Sequence, residues 1–80
     1  MESSPGIAKD LLALGLISAK KGNQAAAFDY FQRSYLVSTT LGFREDMKKA
    51  LTGLVAAAEA LGRTADAEAY RKALADLGTS

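Results

Sequence analysis

The chain has 80 residues, ten of them basic and nine acidic for a net charge of +1, and contains neither cysteine nor histidine. That length suits a single domain, 1–80, close to the size at which one core is only marginally stable without crosslinks, metals or association. The missing residue types exclude disulfides, thiol chemistry and the usual zinc and iron ligand sets, and the near-neutral field argues against strong capture of nucleic acid or an anionic membrane.

No segment approaches the roughly 20 uninterrupted apolar residues of a membrane span. Met1–Asp10 carries Glu2 where a secretory leader would carry basic residues, so a cytoplasmic protein without a membrane association is expected. Ser3 and Ser4 stand ahead of Pro5, the only proline, and predict the start of a first helix. Ile7, Leu11, Leu14 and Ser18, with Ala8, Leu12, Gly15 and Ala19 alongside, follow the three-then-four spacing of a buried face. Lys20 and Lys21 complement the helix dipole, and Gly22 supplies the left-handed stop.

Asn23 is the predicted N-cap of a second helix, Gln24–Leu41, which is apolar on nearly every side. It holds four of the six aromatics, Phe28, Tyr30, Phe31 and Tyr35, and is expected to be the core helix, with Phe28, Phe31 and Tyr35 packing against the first and third helices. Asp29 and Arg33 form an i,i+4 pair on its polar strip. Ser38, Thr39 and Thr40 are poor helix formers and predict fraying before Gly42.

Phe43 opens the third helix, with Glu45 and Asp46 at its positive end and Met47, Leu51, Leu54, Ala58 and Leu61 tracing a face. Gly53 inside it costs about 1 kcal/mol relative to alanine and marks a place where another backbone comes close. After Gly62 and Arg63, Thr64 caps a fourth helix. It buries Ala67, Tyr70, Leu74 and Leu77, pairs Glu68 with Lys72 outside, and ends at Gly78. The expected fold is all-α: four antiparallel helices as two stacked helix–turn–helix units, 5–42 and 43–78.

A comparison of the chain with itself at an offset of 40 residues supports those units. Lys9/Lys49, Leu11/Leu51, Leu14/Leu54, Gly22/Gly62, Ala27/Ala67 and Tyr30/Tyr70 are identical pairs, most of them on a predicted buried stripe or at a turn. In the first unit, Leu11-x-x-Leu14-Gly15-x-x-Ser18 followed by Ala27-x-x-x-Phe31 resembles a tetratricopeptide repeat, whose pattern is W-x-x-L-G-x-x-Y, then A-x-x-x-F, then P, with Thr39 here in the proline place. Gly15 is small enough for the first helix to approach the second at Ala27, with Phe31 beside them. In the second unit Leu51, Leu54, Ala58 and Ala67 fit, while Val55 replaces the glycine and Arg71 the phenylalanine. The stretch from Ser34-Tyr35-Leu36 through Gly42-x-Arg44 to Ala50-Leu51-x-x-Leu54 also resembles helical repeats of bacterial regulatory proteins.

The tetratricopeptide resemblance implies a protein–protein interaction module whose first helices line a concave groove. The groove positions would fall on Lys9, Leu12, Leu16, Ala19 and Lys20, then on Lys49, Thr52, Ala56 and Glu59. The carboxylate-clamp asparagines and lysines of some family members are replaced by Leu12 and Leu16, so the implied partner is an apolar helix or peptide. No catalytic residues, cofactor or metal are expected: the acids Asp10 and Asp29 lie among ordinary surface positions, the serines lack a histidine base, and no phosphate loop occurs. Two units without a capping helix leave end faces bare, with the fourth helix expected to expose Ala65, Ala69, Ala73 and Leu77. Self-association as a symmetric dimer, or membership of a larger chain, is therefore the alternative function.

Overall fold

Three glycines with positive φ, spaced 20 residues apart, divide the chain into helices: Gly22, Gly42 and Gly62 have φ of 82°, 75° and 76°. The computed structural model describes residues 4–79, as α1 (Ser4–Lys20), α2 (Gln24–Leu41), α3 (Arg44–Ala60) and α4 (Thr64–Thr79). The serine cap ahead of Pro5 lies partly outside the described residues.

The three turns are the same device. The N–H of Asn23, Phe43 and Arg63 reaches back to the carbonyl of Ser18, Ser38 and Ala58 at 2.9, 2.9 and 2.8 Å, and each glycine N–H bonds the carbonyl three residues earlier. This double closure satisfies carbonyls that the helix end would leave bare, and it requires the left-handed residue that only glycine adopts without cost. The same three residues then start the next helix, their carbonyls accepting from Ala27, Met47 and Ala67. Asn23 adds its side chain, which accepts from the Ala26 N–H at 3.2 Å.

Successive helices run antiparallel and form a slab whose principal extents are 36 × 32 × 14 Å. The central helix is α3, which packs against all three others, whereas α2 packs along α1 and α3 and reaches α4 through side chains. Aromatic content suggested α2 for that place. Its outer strip, however, leaves Leu36 68% exposed, and the side chains buried most completely are spread over α2 and α3.

The buried face of α1 is also narrower than the expected one, keeping one of its two adjacent stripes. Ala8, Leu12 and Gly15 are buried and Ala19 packs against the core, while Ile7 and Leu14 are 40% and 42% exposed. The reason is α2: Ser34, fully buried, donates its hydroxyl to the Ala8 carbonyl at 2.9 Å, and this close approach needs the small residues of the alternative stripe against it. The last turn of α2 is helical through Leu41. Ser38 is also buried and donates to the Ser34 carbonyl at 2.7 Å, and Thr40 donates to Leu36 at 2.9 Å, so the hydroxyls are spent inside the helix.

Phe31 fixes how three helices meet. Cβ atoms at positions 15 and 53 would lie 2.6 Å and 2.7 Å from its ring, so the ring occupies the space of two missing side chains, one on α1 and one on α3. The close approach at Gly53 is thus made by an aromatic ring rather than by a backbone. The second unit, with Val55 and Arg71 in the matching places, lacks both ring and glycine. Phe28 turns away from this junction to α4, meeting Tyr70 edge-on at 6.1 Å, with the Arg63 guanidinium 4.7 Å from its ring centre. The Tyr70 hydroxyl accepts from Gln32 at 3.2 Å and closes the α2–α4 seam.

Five features of the later helices differ from expectation. Phe43 is the extended residue before α3 (φ −86°, ψ 90°) rather than its first helical residue, and Thr64 is the first residue of α4 rather than its cap. Leu61, at 37% exposure, lies outside the core face of α3. Finally, α4 runs through Gly78 to Thr79, because Arg44 of α3 donates to the Leu77 carbonyl at 2.6 Å and takes over the role of a glycine stop. Glu68 and Lys72 form no ion pair among the described residues.

Candidate functional site

Because Phe31 is sunk between two glycines, α1 and α3 are bridged from beneath and a concavity remains between them. It encloses about 470 Å³. Its floor is Leu12 of α1, the Phe31 ring of α2, and Gly53 and Ala57 of α3; Leu16 and Ala19 form one bank, and Lys48, Lys49, Thr52 and Ala56 the other, with Gln24 at one end. That volume falls in the range of sites that take a small organic body or a few side chains of a docked segment.

Of the groove positions expected from sequence, Leu12, Leu16, Ala19, Lys49, Thr52 and Ala56 are brought together here. Lys9 and Lys20 are exposed and lie outside the lining. Lys9 contributes instead to a shallower concavity with Gly42 and the start of α3. By helical spacing Lys20 shares the face of Leu16, at i+4, and extends its bank as a cation, whereas Lys9 shares its own concavity with Glu45 and Asp46. Glu59 is drawn away from the groove: its carboxylate pairs with the Arg71 guanidinium of α4, which stands where the second unit has no aromatic ring. The lining therefore contains two lysines and no acid.

Phe31, Gly53, Ala57, Lys48 and Gln24 were not expected in the groove. Reading only the first helix of each unit omits the second helix wherever a gap in the first exposes it. Gly15 and Gly53, both near Phe31 once the units are stacked, are the sequence signal that would have shown the ring reaching through.

The floor offers no hydrogen-bonding chemistry beyond the rim. The Thr52 hydroxyl is committed to its own helix, donating to the Lys48 carbonyl at 2.9 Å, and Ser34 and Ser38 are internal contacts between and within helices. Asp29 is paired with Arg33 at 3.2 Å on the outer surface of α2. Among the described residues no three His, Cys, Asp or Glu side chains cluster as metal ligands would, and no helix is long and apolar enough to cross a membrane. Comparison of the chain with family models, with curated proteins and with solved structures finds no match.

Proposed function

We propose that the chain is a two-unit helical module of tetratricopeptide type that binds, without catalysing, an amphipathic peptide or helix in the groove between α1 and α3. The observation that carries this reading is an apolar floor of Leu12, Phe31 and Ala57 with lysines, and no carboxylate, at its edge. Apolar side chains of the partner would displace water from the floor, and acidic residues flanking them would meet Lys48 and Lys49, with Lys20 one turn beyond Leu16 on the facing bank. The partner class is therefore a segment apolar on one face and acidic at its margin. A basic segment would find like charges.

Selection from a displayed peptide library tests it. Enriched sequences should combine apolar residues at i, i+3 or i+4 with nearby aspartate or glutamate, and their affinity should fall as salt is raised, because exposed charges are screened. Leu16→Lys and Ala56→Arg, both at exposed positions lining the groove, should weaken calorimetric binding by tenfold or more, order-of-magnitude, while leaving helicity unchanged. Peptides that bind both variants as well as the parent, or a library that yields no enrichment, would remove this reading.

A further inference from the structure

A second apolar stripe on α1 faces neither α2 nor the groove. Ile7, Asp10, Leu14, Ile17 and Lys21 follow one another at spacings of three, four, three and four residues, the period by which one helix packs along another. All five are exposed. Lys21 lies just beyond the last helical residue, yet its N–H still bonds the Ile17 carbonyl at 3.1 Å, which keeps it on the helical path.

The repeat shows what such a stripe does. Forty residues on, the equivalent positions are Met47, Ala50, Leu54, Ala57 and Leu61. Ala50, Leu54 and Ala57 are at most 1% exposed, because α3 has the antiparallel α2 packed against it. Among the described residues α1 has no helix in that place. At two positions of the stripe the first unit also carries opposite charges where the second has apolar residues: Asp10 in place of Ala50 and Lys21 in place of Leu61. Neither joins an ion pair among the described residues.

These charges match a copy of the same helix in one register. Laid antiparallel about a twofold axis between Gly15 and Leu16, α1 puts Asp10 opposite the second copy's lysine, Leu14 opposite its isoleucine, and the same pairs in reverse. A parallel pairing would instead set aspartate against aspartate and lysine against lysine. We infer that α1 is a dimerisation seam, docking antiparallel on α1 of a second copy in that register. One helix about 25 Å long buries less than the roughly 800 Å² per partner of a standard interface, so the dimer is weak and concentration-dependent. Leu12 and Leu16 point about a quarter-turn or more away from the seam, so the dimer holds two open grooves and gains affinity for a partner with two binding segments.

Sedimentation equilibrium on the 80-residue chain decides it, with the apparent mass rising from 8.4 kDa toward twice that value as concentration increases. Asp10→Lys makes both symmetry-related pairs repulsive, as does Lys21→Asp, and each should weaken association about tenfold or more. Mixing Asp10→Lys with Lys21→Asp sets the introduced cation of one opposite the introduced anion of the other, and should restore the dimer as a heterodimer. Leu16→Lys should leave association unchanged. A mass of 8.4 kDa at every concentration up to the millimolar range, or a dimer indifferent to either single reversal, would overturn the inference.

Discussion

The ring of Phe31 has one edge against Gly15 and the other against Gly53, so displacing it from a new side chain on α1 drives it into α3. An alanine at an ordinary helical glycine gains about 1 kcal/mol. Overpacking a filled core costs about 1–3 kcal/mol, and a ring confined from both sides should sit toward the upper end. Gly15→Ala and Gly53→Ala should therefore each destabilise, by about 1–2 kcal/mol net, as measured by urea unfolding. Phe31→Leu in the same chain should recover much of that loss, which a double-mutant cycle would display as strong coupling. The tetratricopeptide resemblance placed Phe31 beside the approach of Gly15 to Ala27. It did not reveal Gly53 as the third, because that contact joins the second helix of one unit to the first helix of the next.

Helix ends were the most legible elements. Gly22, Gly42 and Gly62 each announce a stop by residue type alone, and the hydrogen bonds that close the turns are local, within five residues. Gly78 looked equivalent and is not. It sits inside α4 without positive φ, and a Cβ there would meet nothing within 4 Å. Gly42→Ala should accordingly lower the thermal midpoint, since its left-handed backbone costs a substituted residue about 1 kcal/mol, whereas Gly78→Ala should raise it by a similar free energy. Calorimetric scans of the two variants should move in opposite directions. Asn23→Ala should cost about 1 kcal/mol by removing the only side chain seen to cap α2. The misread end of α4 has a tertiary cause, the reach of Arg44 across from α3 to the Leu77 carbonyl.

At the scale of the whole molecule, the larger bare apolar face is on α1. The fourth helix exposes Ala65 and Ala69 as expected, while Ala73 and Leu77 pack against the core; α1 exposes Ile7, Leu14, Leu16 and Ile17. Thus α4 serves as the more polar end of the stack, with Glu68 and Lys72 on the side opposite its core positions, while α1 presents both the groove bank and the seam. If α1 is the seam, the thermal midpoint should rise with protein concentration, since association stabilises only the folded chain, and this dependence should vanish in Asp10→Lys. Sequence did not resolve the buried face of α1 this finely, because the two adjacent stripes that make it up, offset by one residue, are both apolar. The choice between them fell to the hydroxyl of Ser34 and the smallness of Ala8 opposite it.

By itself, then, the sequence determined four helices, the stops of the first three, their pairing into two units and the absence of the residues for thiol or histidine chemistry. These follow from local backbone preference and composition, which need no knowledge of what lies across the fold. Tertiary structure alone decided which stripe of α1 is buried, that Phe31 floors the groove through two glycine gaps, that Glu59 leaves the groove for Arg71, and that α3 rather than α2 is central. Each of those depends on the distance between residues far apart in the chain, and sequence periodicity carries the faces of a helix but not which neighbour claims them.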